Sequence, residues 1–375
     1  MTDFLNERLE GLRARGLERR LPGTRTGIDF WSNDYLGFGR SNMGARTQLM
    51  GEGGRQSELV RGEVDYKPGS RLISGDADYF QQVEARIAAH HGAQSALVFA
   101  SGYLANLGLL SCLATRHDAF YYDALVHASA HDGMRLSPAP RKSFAHNNPE
   151  ALRDLLAKPG PPGQRFVLTE ARFSMDGDLA PLANLQSVCA EHAAHLIVDE
   201  AHTFGLESEY RASFARIVTY GKAGGFHGAA VLGSPGLRAY LIARCRPFIF
   251  STGVRPEQYA GIAALYDRLE SEGPAARERL RQLIDYFNRR VNAAGLRDYV
   301  PGNAGPIQVV SIPDNTTVMR TETQLAAAGY LVKGIRSPTV PPGRERLRVC
   351  LHAFNTEAEV DGLLAQLTQA LPPCP

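Results

Sequence analysis

Between residues 96 and 232 the chain repeats one alternation, in which short unbroken apolar runs are followed by stretches with helical spacing. Residues 96–99, 120–122, 166–169 and 196–198 read as strands, and residues 102–113 and 184–192 as helices. Unbroken apolar runs mark strands buried on both faces, and strands alternating with helices mark an α/β domain with a largely parallel sheet. Ahead of this region, Tyr79, Phe80, Val83 and Ile87 follow Asp78 at helical spacing, and Gly92 closes the predicted helix. Residues 3–20 predict an amphipathic helix with Phe4, Leu5, Leu9 and Leu12 on one face. Residues 27–37 predict a strand and turn, and the Gly- and Arg-rich stretch 41–65 predicts loose order. The last third changes pattern. Pro274 opens a long helix carrying Leu280, Leu283, Ile284, Phe287 and Val291, ended by Gly295. Strands are predicted at 307–312 and 346–351; in the second, Leu347, Val349 and Leu351 alternate with Arg346, Arg348 and Cys350, as on a half-buried strand. Thr356 and Glu359 form a capping box ahead of a final apolar-faced helix stopped by Pro372. The expected division is an N-terminal helix and arm (1–40), a large domain (41–255) and a smaller α+β domain (256–375).

Candidate chemistry gathers at residues 216–232, RIVTYGKAGGFHGAAVL. An apolar run, Ile217 and Val218, ends in Thr219, and Lys222 then sits among Gly221, Gly224, Gly225 and Gly228. Alone, this is a glycine-rich turn with a solvated lysine. Upstream, however, the apolar triplet 196–198 ends in Asp199, Glu200, Ala201 and His202. In open α/β sheets, ligands bind at the carboxyl ends of strands. One strand end carrying a carboxylate and an imidazole, and another carrying a lysine, suggest one site. The segment LIVDEAH also has the form of a nucleotide-hydrolysing helicase strand. That reading requires an upstream G-x-x-x-x-G-K-[ST] loop, whereas the only Gly-Lys pair, Gly221 and Lys222, lies downstream and is followed by Ala223. It is excluded.

The Asp-x-x-His strand end followed by Thr-Tyr-Gly-Lys resembles the α-oxoamine synthases, pyridoxal-phosphate (PLP) enzymes of fold type I. WSNDYLGF, GSRLISG, FASGYLAN, VHASAHDG, FAHNN, FSMDGDLAPL and IRSPTVPPG resemble the family's signatures and occur in its order over nearly the whole chain. The resemblance implies a fold-type I PLP transferase, with a large domain on a mostly parallel sheet and a smaller α+β C-terminal domain. It implies that Lys222 carries the cofactor and moves the substrate's Cα proton. Asp199 would face the pyridine nitrogen, His202 the ring hydroxyl, and His127 the ring face. Ser101, Gly102, Tyr103 and Thr219 would hold the phosphate, with Glu170 and Ser174 flanking the cofactor. Ser251 and Thr252 would reach the phosphate of a partner subunit, so a homodimer with shared sites is implied. On the substrate side, Asn33 and Ser70 would line the site, Arg336 would grip the amino-acid carboxylate, and Arg348 would meet the far carboxylate of the acyl chain.

The implied reaction is a decarboxylative condensation of an amino acid with an acyl thioester of coenzyme A or acyl carrier protein. FSMDGDLAPL and the stretches around Lys222 and Arg336 most resemble the branch that joins L-alanine to a pimeloyl thioester in biotin synthesis. Ser70, where glycine-using members carry threonine, favours alanine or serine. Siblings using serine or glycine, serine palmitoyltransferase-like or 2-amino-3-ketobutyrate-ligase-like, stay open. Non-catalytic partner subunits of such enzymes lack the lysine, which is present here. Two departures stand out: Asp65, Tyr66, Lys67 and Pro68 replace a Gly/Ser-rich run, and the connection 204–214 is shortened and altered.

Composition narrows the partners. The chain has 41 basic and 39 acidic residues, a net charge of +2, which argues against non-specific binding of nucleic acid. Its five cysteines are scattered, with neither disulfide nor metal spacing, so no metal site is expected. No run approaches the roughly 20 apolar residues of a membrane span, and the first residues are charged throughout. A cytoplasmic location without a membrane partner is expected.

Overall fold

The computed structural model describes residues 3–15, 17–19, 21–40, 66–206, 212–312 and 314–372. The predicted loose stretch 41–65, and residues 207–211 of the altered connection, lie outside the described residues. The strands in chain order are β1 (Ile28–Asp29), β2 (Ser95–Phe99), β3 (Ala119–Asp123), β4 (Arg141–Phe144), β5 (Arg165–Glu170), β6 (Ala194–Asp199), β7 (Ala215–Thr219), β8 (Ala229–Gly233), β9 (Ile307–Ser311), β10 (Tyr330–Leu331), β11 (Lys333–Ile335) and β12 (Arg346–Cys350).

Among the described residues, seven strands form the central sheet in the order β2-β8-β7-β6-β5-β3-β4, and of these β8 alone runs against the others. The apolar runs are unbroken because both faces are covered. Leu97 and Phe99 of β2 pack with Ala105, Leu109 and Leu110 of helix Gly102–Leu113. Ala96 and Val98 face the other way, onto Phe80, Val83 and Ile87 of helix Asp78–His90 and Tyr259 and Ile262 of helix Pro256–Ser271. At the other end of the sheet, Tyr121, Val167, Leu196 and Val198 are covered by helices Pro149–Leu156 and Leu182–Glu191.

The C-terminal part builds a three-stranded antiparallel sheet, β11-β12-β9, whose Val310, Leu347 and Val349 join the same core as helix Gly273–Ala293. The arm preceding the large sheet is drawn into this unit: β1 pairs with β10, and Cys350 N–H donates to Phe30 O at 2.7 Å. The capping box of Thr356 and Glu359 opens helix Glu357–Ala370.

Three sequence expectations differ from the structure. Helix Asp3–Ala14 is shorter than predicted and buries none of its side chains. β4 escaped notice because it is an edge strand with Arg141, Lys142 and Ser143 exposed, so it shows no apolar run. β12 is buried at all five positions rather than alternately. Its arginines face the loop that follows β5, where Arg346 Nη1 donates to Asp176 Oδ1 at 2.6 Å and Arg348 Nε to Ser174 O at 2.7 Å. Among the described residues, no helix is long and apolar enough to cross a membrane.

Candidate active site

Five parallel strands deliver chemistry at their carboxyl ends. β2 leads into Ser101, Gly102 and Tyr103, and β3 leads into His127. β5 ends in Glu170, β6 in Asp199 with His202 just beyond, and β7 in Thr219 with Lys222 just beyond. The register sets Glu170 against Asp199, and Asp199 against Ile217. Gly102, Tyr103, His127, Glu170, Asp199, His202, Thr219 and Lys222 all line one pocket.

The floor of that pocket is a buried carboxylate with defined donors. Asp199 Oδ2 accepts from Asn106 Nδ2 at 2.7 Å, and Oδ1 from Ala201 N–H at 2.9 Å. Beside it, burial and the charge of Asp199 push the Glu170 carboxyl up to about 8, although Lys222 and a backbone bond to His127 pull the other way. Lys222 is half-buried. Burial lowers the pKa of its ammonium, Arg348 adds to the fall, and Asp199 and Glu170 oppose it. His202 is driven well below its ordinary value by burial and by the positive charges of Lys222, Arg348, His127 and Arg172, so it is neutral. His127 stands exposed at the mouth, caps helix Ala128–Leu136 and contacts Ser129 Oγ at 2.8 Å through Nδ1.

The phosphate end follows from a close approach of two elements. Ser101 caps helix Gly102–Leu113 by accepting from Leu104 N–H, and the first amides of that helix open toward the pocket. A Cβ on Gly102 would come within 2.5 Å of Thr219 Oγ1, so glycine is what lets helix and strand end meet. Tyr103, 44 % exposed, donates its hydroxyl hydrogen bond to Asp132.

The remaining predicted residues divide into two groups. Asn33, Ser174 and Arg348 form an adjacent wall: Arg348 Nη2 donates to Asn33 Oδ1 at 2.9 Å and to Tyr35 OH at 3.1 Å, while Nε donates to Ser174 O. Ser70, Ser251, Thr252 and Arg336 lie outside the pocket. Ser70 Oγ donates to Ile249 O at 2.7 Å, Ser251 and Thr252 are exposed, and Arg336 Nη1 rests against Met319 Sδ at 2.9 Å. Of the two arginines singled out in the sequence, the one beside the pocket is therefore Arg348. Its charge reaches both Lys222 and His202. Sequence reasoning missed Asn106 and Tyr35. Asn106 did leave a signal, as the one amide in the otherwise apolar helix GYLANLGLLSCL.

PLP carries a ring nitrogen, a ring hydroxyl, an aldehyde and a phosphate, and the pocket offers a counterpart to each. Two buried acceptors, Glu170 Oε1 and Asn106 Oδ1, have no protein partner among the described residues. A deep carboxylate, a lysine held toward its neutral form, and helix amides at a glycine cradle complete the set. The donor chemistry fits the group.

The class of the chain is clear from comparison. Residues 27–367 match the family of aminotransferases of class I and II, and the chain belongs to that family. The 8-amino-7-oxononanoate synthase of Marinobacter nauticus is 39% identical over 360 residues, covering 92% of this chain and 88% of that protein. Among solved structures, a serine palmitoyltransferase from S. paucimobilis with PLP–myriocin bound is 25% identical with a TM-score of 0.84, covering 98% of this chain and 97% of that one. The 8-amino-7-oxononanoate synthase of Francisella tularensis is 26% identical with a TM-score of 0.74, covering 92% and 97%. The chain is similar to each along nearly its full length.

Proposed function

We propose that the chain is a PLP-dependent acyltransferase that condenses L-alanine with a pimeloyl thioester, with loss of carbon dioxide, giving 8-amino-7-oxononanoate for biotin synthesis. The observation that carries this reading is the convergence of Lys222, Asp199, Glu170 and His202 on one pocket at the strand ends. The relatives named 8-amino-7-oxononanoate synthase, matched along nearly the whole chain, support this choice of substrates.

When bound, PLP supplies a carbonyl carbon that takes an amine and a ring that draws electron density from the substrate's Cα. Lys222 Nζ is the amine that holds it. The same Nζ would move the substrate's Cα proton, a task for which its lowered pKa suits it. Asp199, held by the donors Asn106 and Ala201, would face the ring nitrogen. His127 would cover the ring face, His202 would meet the ring hydroxyl, and Glu170 and Ser174 would flank the cofactor. The amides after Ser101, with Tyr103 and Thr219, would hold the phosphate. Arg348, buried and held on Asn33 and Ser174, takes the substrate carboxylate. In this division the large domain (41–255) supplies the cofactor site, and the smaller domain (256–375) supplies Arg348.

The working form is a cytoplasmic homodimer. Exposed Phe250 (70 %) and Ile73 (87 %) adjoin Ser251, Thr252 and the loop of Ser70, and support that assignment. A second reading, a sibling that uses serine with palmitoyl-CoA, is favoured by the higher TM-score of the serine palmitoyltransferase.

The test is turnover with L-alanine, L-serine or glycine, each offered with pimeloyl-CoA, pimeloyl carrier protein or palmitoyl-CoA. Alanine with a pimeloyl thioester should be used best, and preference for serine with palmitoyl-CoA moves the assignment to the sibling. Lys222→Ala should lose PLP's covalent attachment and at least 1,000-fold in rate, on the order of other activated nucleophiles and bases. Unchanged turnover in that variant sinks the reading.

A further inference from the structure

Tyr35 is fully buried, and its hydroxyl sits among three polar neighbours: His202 Nδ1 at 2.8 Å, Asn33 Oδ1 at 3.0 Å and Arg348 Nη2 at 3.1 Å. A phenol has one proton to give, and a guanidinium can only donate. The tyrosine oxygen therefore accepts from Arg348, and its proton goes to Asn33 or to His202. The Asn33 carbonyl already receives Arg348 Nη2 at 2.9 Å. His202 Nδ1 has Tyr35 as its one described partner, and by the shorter contact. His202 is neutral, because burial above all, with the charges of Lys222 and Arg348 beside it, disfavours a second proton. A neutral imidazole carries one N–H, and the bond at one nitrogen decides the state of the other.

We propose that Tyr35 is a positioning residue for His202: its hydroxyl donates to Nδ1, which places the ring's only N–H on Nε2, the nitrogen that Tyr35 leaves free on a ring lining the pocket. The site then presents a hydrogen-bond donor at Nε2, suited to an oxygen acceptor on the cofactor, where the opposite assignment would present a lone pair. The same tyrosine oxygen is held by Arg348, so the arm of residues 28–38, the small domain and the end of β6 are joined through one atom. The use of the Nε2 donor rests on the PLP reading of the pocket. The tautomer does not.

The experiment is nitrogen-15 NMR of histidine-labelled protein without cofactor, with His202 assigned by its loss in His202→Gln. In the wild type Nδ1 should be unprotonated and Nε2 protonated; in Tyr35→Phe, which keeps the ring and its volume, that pattern should become mixed or reverse. A wild-type His202 protonated at Nδ1 overturns the proposal, as do His202 signals that Tyr35→Phe leaves unchanged. PLP titrations then test the consequence. Tyr35→Phe and His202→Gln should each weaken PLP binding by about tenfold and shift its visible band alike, and the double variant should add nothing further. Additive losses with an unaltered band would mark Tyr35 as structural only and overturn the proposal. A wild type that binds no PLP would sink the functional reading, and the NMR result would still decide the tyrosine–histidine bond.

Discussion

The Asn106–Asp199 bond offers the sharpest quantitative test of the site. Both side chains are buried, at 2 % and 7 % exposure, and Nδ2 lies 2.7 Å from Oδ2. The other described donor to the carboxylate, Ala201 N–H, serves the second oxygen. Asn106→Leu keeps the side chain's approximate volume and removes the donor, which leaves Oδ2 buried without a protein partner. A hydrogen bond to a charged group contributes about 1.5–3 kcal/mol, and orphaning the buried partner costs about as much. If PLP binding depends on a carboxylate held ready for the ring nitrogen, a loss of ~2 kcal/mol should weaken PLP about 30-fold. The assay is equilibrium dialysis of PLP against wild type and variant, with circular dichroism to show that the variant is folded. Asn106→Asp should be worse still, because it sets a second carboxylate against the first. A folded Asn106→Leu protein that binds PLP within twofold of wild type would refute the role given to this bond.

Two further outcomes follow from the geometry. Gly102→Ala would bring a methyl within 2.5 Å of Thr219 Oγ1, so PLP affinity should fall about tenfold for a displacement costing ~1.4 kcal/mol; Thr219→Ala in the same chain should recover part of that loss, and a Gly102→Ala protein of normal affinity would contradict the phosphate cradle. For His146, burial opposes the charged ring, but hydrogen bonds to Asp123 and Asp178 outweigh it and raise its pKa to about 10. A folded pKa above the unfolded value stabilises fully below about 6.5, and the benefit is lost as pH rises through about 10. The slope is at most ~1.4 kcal/mol per pH unit, less where water screens the half-exposed ring. Urea midpoints of the wild type should fall between pH 6.5 and 9.5, and those of His146→Gln should fall less; identical slopes would remove this account.

How much of the fold was legible depended on whether burial left a local trace. β2, β5 and β6 announced themselves because both of their faces are covered, which makes each run apolar without a break. β4 sits at the edge with three polar residues exposed, and so gave no signal. β12 was found in place but misread in character. Its alternation of leucine and valine with arginine looked like a wet face, yet Arg346 and Arg348 are buried against Met175, Asp176 and Ser174, some 170 positions away in the chain. Periodicity records what a side chain is; a distant carboxylate that makes an arginine buriable leaves no mark on it.

The same distinction separates the site residues that were foreseen from those that were not. Lys222, Asp199 and His202 stand at the ends of apolar runs, where the carboxyl-end rule for α/β sheets directs attention, and they do converge. Asn106 and Tyr35 work one step away, as the donors that hold Asp199 and His202, and each comes from a different element than the group it serves. Arg336 drew attention through the stiff proline-rich motif around it, whereas Arg348 stands beside the pocket on a buried strand, bonded to Asn33. A motif thus shows which groups could react. What fixes their charge and direction is the set of hydrogen bonds that folding closes between elements far apart in sequence, and for that reason the variants worth making first are Asn106→Leu and Tyr35→Phe.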